Sequence, residues 1–388
     1  MPEAVIVDVV RTPSGRGKPG GALSGVHPTD LLAGVLEALV IRSDLDPGMV
    51  DDVIGGCVSQ AGEQTFNITR NALLGAGFPD SVPGTTIDRQ CGSSQQATTF
   101  AAQGIMTGQY DIAIACGVES MSRVPLGSSA GGKNPYGERM AARYPDGLVS
   151  QGVSAELIAQ KWGLDRHTLD TFSDRSHRLA AQAADRGDFL REIVPVGEVR
   201  RDETIRETTT VAGLAGLNPA FRTDELAARF PQLDWRITAG NSSPLTDGAS
   251  AALIMSAERA KALKLTPRAR FLSFAVTGSD PIFMLTGVIP ATHRVLDRAN
   301  LTIDDMDAYE VNEAFASVPL AWQHDLDADP DKLNPWGGAI ALGHALGSSG
   351  TRLLATLVNY LESSGGRYGL QTMCEGGGMA NATVIERM

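Results

Sequence analysis

The chain has 388 residues, 43% of them hydrophobic, 20% charged and 5% aromatic, which fits an α/β protein with one large core or two fused cores and excludes a disordered chain. A formal charge of −12 argues against non-specific nucleic-acid binding, because that affinity comes from basic patches that neutralise phosphates. Met1-Pro2-Glu3 opens no basic-then-apolar leader and no apolar run approaches the roughly 18 residues of a membrane span, so a cytoplasmic protein without a membrane partner is expected.

Taken in chain order, Ala4 to Val10 alternates as a strand, Thr29 to Ile41 has helical periodicity, and Asp52-Val53-Ile54 leads into a strand ending at Gly55-Gly56. Thr85 to Asp88 reads as a strand, Ser93 to Met106 as a helix broken by Gly108, and Asp111 to Cys116 as a strand that stops at Gly117. From about Ser120 to Asn241 the pattern changes to polar loops and charged helices. There, Ala155 to Trp162 and Thr168 to Asp185 read as amphipathic, the second capped by Gly187. The earlier order then returns: strand Arg268 to Val276, helix Phe283 to Ala299, strand Met306 to Val311, helix Gly347 to Leu361, strand Gly369 to Met373 and strand Ala382 to Glu386. Strands alternating with helices predict a layered, largely parallel sheet.

The halves align. Placing Val50-Asp51-Asp52 on Ile303-Asp304-Asp305 gives an offset of 253 (303 less 50), and that offset carries Cys91 onto His344. A thiol and an imidazole at equivalent points of a duplicated fold point to one shared site. The four cysteines, at 57, 91, 116 and 374, form no CxxC pair and no metal-ligand spacing with the histidines, so neither a disulfide nor a metal is expected.

Cys91 follows a predicted strand and precedes Gly92-Ser93-Ser94 and a helix, where unpaired amides would favour the thiolate and lower its pKa from about 8.5. Position alone leaves it divided between a nucleophile and a small buried hydrophobe; the second reading suits Cys57 and Cys116. His344 lies in a glycine-rich loop, Gly337 to Gly350, that lacks both the P-loop lysine and a dinucleotide fingerprint. An imidazole that accepts the Cys91 proton is the preferred reading. Cys374 ends a strand before Glu375-Gly376-Gly377-Gly378, which suits a proton shuttle beside backbone oxyanion donors. Asn312, in Asn312-Glu313-Ala314-Phe315, offers an amide to fix a water.

With these motifs in this order, the chain resembles the thiolase family over nearly its whole length. Thr238-Ala239-Gly240-Asn241-Ser242-Ser243 before Asp247-Gly248-Ala249 also looks like the family's pantetheine-contacting segment. The resemblance implies an α/β thiolase fold of two βαβαβαββ halves stacked as five layers, αβαβα. It divides the chain into 1–119 with 242–265, an inserted loop domain at 120–241 covering coenzyme A, and 266–388. It further implies that Cys91 attacks a 3-oxoacyl-CoA and carries the acyl group, with coenzyme A or acetyl-CoA as co-substrate and no bound cofactor. His344 would activate Cys91 and Cys374 would shuttle the proton. One oxyanion hole would use His344 and a water on Asn312, the other the N–H groups of Cys91 and Gly376. Ser243 and Ala314 become expected coenzyme A contacts, and a homodimer or homotetramer is expected; Arg222, in the loop domain, is a candidate for the adenosine phosphate that no motif supports.

Three departures from the family pattern bear on these expectations. Ala345 stands where proline follows the catalytic histidine, Pro244 where glycine follows the serine, and Ser150-Gln151-Gly152 replaces the methionine of short-chain biosynthetic members. The last favours degradation of a fatty, branched or ring-bearing acyl-CoA over synthesis of acetoacetyl-CoA from two acetyl-CoA. A decarboxylating ketosynthase would place a second histidine at Asn312, and a non-catalytic acyl-CoA or lipid carrier would have an eroded catalytic set.

Overall fold

The computed structural model describes residues 2–388. The first half runs β1 (Ala4–Arg11), α1 (Pro28–Arg42), β2 (Asp52–Gly56), α2 (Ile68–Gly75), β3 (Gly84–Ile87), α3 (Ser93–Met106) and β4 (Ile112–Ser120). A long excursion follows, with helices α4 (Gln151–Lys161) and α5 (Arg166–Arg186), before β5 (Thr246–Ser256) returns to the sheet. The second half runs β6 (Ala269–Gly278), α6 (Val288–Ala299), β7 (Ala308–Val311), α7 (Ser317–Leu326), α8 (Ser349–Ser364), β8 (Tyr368–Glu375) and β9 (Met379–Arg387).

Strand order is β3-β2-β4-β5-β1-β6-β9-β8-β7, a mirror arrangement about β1 and β6. The halves join there through Val5 opposite Arg270 and Ile6 opposite Ala269. The outer strands pair in parallel, β2 with β3 and β4, β7 with β8, but β4–β5, β5–β1, β1–β6, β6–β9 and β9–β8 are all antiparallel, so the sheet is mixed rather than the largely parallel one expected. The duplicate of β3 is reduced to a single bridge between Tyr309 and Leu333.

Helices α3 and α8 form the middle layer. Ala97, Ala101 and Ile105 of one and Leu354, Leu357 and Leu361 of the other pack with Ile6, Ile254 and Ile385 from the two sheet halves. Each large aliphatic side chain buried there contributes about 1.5–3 kcal/mol. Helices α1 and α2 cover the outer face of the first half and α6 and α7 that of the second, giving five layers.

Local signals explain the helix ends. His27 caps α1 by accepting Thr29 N–H, with Pro28 in the first turn where its missing N–H costs nothing. Asp165 caps α5 through Thr168, and Gly187 ends it at φ 82°, in the left-handed region.

Four expectations are corrected. Strand β4 runs through Gly117 to Ser120, because that glycine lies flat against the second half: a Cβ on it would stand 2.1 Å from Gly347 O. Helix α4 is not amphipathic; Gly152 to Ala159 are all buried, so it is an internal element. Strand β8 extends to Glu375, so Cys374 lies within the strand rather than at its end. The helix expected from Phe283 begins instead with a tight turn at Met284–Gly287, and regular helix starts at Val288.

Candidate active site

Cys91 is presented by a tight turn. Gln90 adopts φ 50°, a left-handed conformation that costs a residue with a side chain about 1–3 kcal/mol and that clusters at functional sites. The turn is tied by Gln90 N–H to Asp88 Oδ1 at 2.6 Å, Arg89 N–H to Ser93 Oγ at 2.9 Å and Ser93 Oγ to Gln90 O at 2.6 Å. Gly92 then opens α3 without a side-chain cap.

Around the Cys91 sulfur stand the Gln151 side-chain amide at 3.9 Å and the backbone N–H groups of Cys91 and Gly376. Cys374, from β8, is close enough that charge on Cys91 raises its own pKa. Leu353, Met373 and Leu346 pack against Cys91 and keep water from it. Helix-start amides do not win here, against expectation: burial pushes the Cys91 thiol up to about 12, with Glu375 adding to the rise, while Gln151 and the two N–H groups oppose it. Burial also raises Cys374 well above the ordinary thiol range. Both cysteines therefore rest as thiols, and a thiolate forms only as its proton is taken.

His344 is placed by its loop. Gly343 takes φ 81° and leaves no room for a side chain, since a Cβ there would meet Thr246 at 2.7 Å, and Thr246 Oγ1 accepts His344 N–H at 2.9 Å. Ser349 Oγ donates its one hydrogen to Ala345 O at 2.8 Å, so its 2.6 Å contact with His344 must be a hydrogen bond from Nδ1–H. That assigns the tautomer from the network: Nε2 carries the lone pair, and Asn312 Nδ2 donates to it at 3.3 Å. Burial, with the nearby Arg352 charge, lowers the His344 pKa to about 3, so the ring is a neutral proton acceptor at physiological pH.

The loop itself is pinned by buried carboxylates. Glu119 accepts from Val58 N–H, Ser59 N–H, Gln64 Nε2 and Gly347 N–H at 2.8–3.0 Å. Glu313 accepts from Ser176 Oγ, Asn334 Nδ2 and Ile340 N–H at 2.7–3.0 Å. Ala345, where proline was expected, sits at φ −70° and ψ 102°, the conformation proline would impose.

The expected coenzyme A contacts fall in two places. Ser243 and Ala314 meet directly, Ser243 N–H and Oγ both donating to Ala314 O at 3.0 and 3.2 Å. Arg222 lies apart, half-exposed and 3.5 Å from Asp224. Beside it Phe221 lies against Gly152, where a Cβ would meet the ring at 2.3 Å, and it packs edge-on to Phe315. Sequence reasoning singled out neither Ser349 nor Glu375 as a site residue, and treated Gln151 only as a substitution. Ser349 is one of two adjacent serines with nothing to distinguish them, and the start of α4 was placed too late to carry Gln151. Among the described residues no group of three or more His, Cys, Asp or Glu could hold a metal ion.

The thiolase N-terminal domain matches residues 4–258 and the thiolase C-terminal domain residues 265–387. The chain belongs to the thiolase family. It is 48% identical to a steroid 3-ketoacyl-CoA thiolase of Mycobacterium tuberculosis, aligned over 100% of this chain and 95% of that protein. It is 44% identical to a 3-ketoacyl-CoA thiolase of Aeromonas salmonicida, with both chains covered fully. Among solved structures, the acetyl-CoA acetyltransferase of Bacillus anthracis superposes with a TM-score of 0.89 at 37% identity, covering 100% of this thiolase and 99% of that chain. No helix among the described residues is long and apolar enough to cross a membrane.

Proposed function

We propose that this thiolase is degradative: it cleaves a 3-oxoacyl-CoA with coenzyme A to acetyl-CoA and a shortened acyl-CoA, through an acyl group carried on Cys91. The reading rests on one observation, that Cys91 meets a second cysteine and two backbone N–H donors in a dry pocket. A carrier without catalysis has no need of that arrangement.

In the first half-reaction the Cys91 proton passes to His344 Nε2 as sulfur attacks the ketone carbon. The developing oxyanion, on the carbon now bonded to the Cys91 sulfur, faces the N–H groups of Cys91 and Gly376 that stand around that sulfur. Collapse of the tetrahedral adduct breaks the bond between the α and β carbons. Cys374 protonates the departing acetyl-CoA enolate, whose oxygen faces His344 Nε2, now a donor, and a water held by Asn312. In the second half the resulting Cys374 thiolate takes the proton of coenzyme A, whose sulfur attacks the thioester, and Cys91 leaves as a thiolate that recovers its proton from His344. Release of one product before the second substrate binds gives ping-pong kinetics.

Residues 120–241 serve in this reading as the cover over coenzyme A. Ser243 and Ala314 lie along the pantetheine arm, and Arg222 is the candidate for the adenosine phosphate. Val149, Val153, Leu157 and Trp235, packed around the start of α4 beside Gln151, offer an apolar wall for an acyl group larger than acetyl. The 3-ketoacyl-CoA and steroid names of the relatives support the same side of the choice. The protein acts in the cytoplasm as a homodimer or homotetramer. Comparing thiolysis of acetoacetyl-CoA with that of a medium-chain 3-oxoacyl-CoA tests the assignment: a higher kcat/KM for the longer substrate is expected, and a strong preference for the four-carbon one would make the enzyme biosynthetic.

A further inference from the structure

Glu375 stands between Cys374 and Gly376 and has no part in the chemistry above. It is fully buried, yet neither carboxyl oxygen has a hydrogen-bond partner among the described residues. Alternation along β8 turns it away from Cys374, onto the face it shares with Met373 and, across the ladder, with Met379 and Asn381. That face looks at the start of α3. A Cβ on Gly92 would stand 2.1 Å from Glu375 Oε1, 2.8 Å from Asn381 Nδ2 and 3.0 Å from Asn381 Oδ1, so the carboxyl and the amide converge under the residue that follows Cys91.

Asn381 Nδ2 donates to Gly92 O at 3.1 Å, which fixes the amide orientation and turns its Oδ1 inward, where it too has no partner. Two buried oxygens, a carboxylate and an amide carbonyl, would then face one spot with no hydrogen between them. A single proton on Glu375 resolves both, because its O–H donates to Asn381 Oδ1. Flipping the amide would satisfy the carboxylate only by setting Oδ1 against Gly92 O.

We propose that Glu375 is a positioning residue held as a neutral carboxylic acid, its proton shared with Asn381 Oδ1, and that losing this proton sets the alkaline limit of the two-thiol chemistry. The inference rests on the thiolase reading of Cys91 and Cys374. The charged groups acting on Glu375 are Arg89, which reaches Met379 Sδ at 4.0 Å and favours the anion, and Asp88, which opposes it; a charge on Glu375 in turn raises the Cys91 and Cys374 thiols. Burial is the largest influence and holds the carboxyl at about 8. Catalysis puts negative charge on one sulfur or on the enolate at every step. A fixed anion beneath Gly92 raises both thiols further and withholds the reactive thiolate.

The test is the rate of Cys91 alkylation by iodoacetamide against pH, read on the Cys91 peptide by mass spectrometry, in the wild type, Glu375→Gln and Glu375→Met. Glutamine keeps the hydrogen bond to Asn381 without an ionisable proton; methionine keeps the volume if glutamine does not fold. The wild-type rate should bend downward near pH 8, and both variants should lack the bend and react about tenfold faster at pH 9, the effect of one unit of thiol acidity. Superimposable profiles, or a folded Glu375→Gln protein slower at every pH, would overturn the proposal. Because no substrate is used, a Glu375-dependent bend in a protein that turns over no acyl-CoA would leave this inference standing and remove the thiolase assignment instead.

Discussion

Asn312 Nδ2 lies 3.3 Å from His344 Nε2, and the opposite edge of the same ring is held by Ser349 at 2.6 Å. This pair of contacts leaves the ring one open function, to take and return a proton at Nε2.

His344→Ala should lower kcat by about 10²–10⁴-fold, the range of a positioned general base. Ser349→Ala should cost only about fivefold in kcat, the worth of one hydrogen bond near 1 kcal/mol, and should leave KM unchanged. With its pKa lowered to about 3, His344 stays neutral as pH falls from 8 to 5. Its contribution to stability is full above the ordinary histidine pKa and declines as pH falls towards 3, where the unfolded chain already binds the proton. Steady-state kinetics would show no acid limb near pH 6.5 arising from this ring.

Cys374→Ser should separate the two halves of the reaction. Exchange of the acetyl-CoA α-protons with deuterated water, followed by NMR, should fall by about 10²-fold or more, whereas acylation of Cys91 persists. Exchange at the wild-type rate would move the proton shuttle to another group.

Ala345→Pro should stabilise the protein. The residue already sits at φ −70°, and no hydrogen bond from its N–H is found among the described residues, so the substitution restricts the unfolded chain without straining the loop. A gain of about 0.4–1 kcal/mol in urea unfolding is expected, with thiolysis retained.

Glu310 is fully buried near Arg352, and burial holds its carboxyl at about 8, above the ordinary value of 4.5. A raised folded-state pKa means that its stabilising contribution is complete below pH 4.5 and is lost as pH rises through 8. Glu310→Gln should therefore raise the urea midpoint relative to wild type most at pH 9, less at pH 6, and little near pH 4.

Much of this was legible in the sequence, and the errors share a cause. Helix α3 was read at its observed bounds, Ser93 to Met106, because a glycine-serine start and a glycine stop are local signals. The duplication is legible too, but not its register: β2 and β7, α3 and α8, and β4 and β8 each begin 256 residues apart (308 less 52, 349 less 93, 368 less 112), so Cys91 is level with Gly347, and the expected offset of 253 that carries it onto His344 does not hold. What failed depended on packing between distant segments. Gly117 reads as a strand end until Gly347 is set against it, and α4 reads as amphipathic until the core closes on all its faces. The expected acidic thiol failed for the same reason: a helix start is visible in sequence, but the burial of Cys91 by Leu353 and Met373 is not.

The most direct test of the account is the mass of the Cys91 peptide after brief incubation with a 3-oxoacyl-CoA and rapid acid quench. The account predicts a gain equal to the shortened acyl group on Cys91, absent in Cys91→Ala, with Cys374 unmodified. An unmodified Cys91 during turnover, or an acyl group found on Cys374, would contradict it.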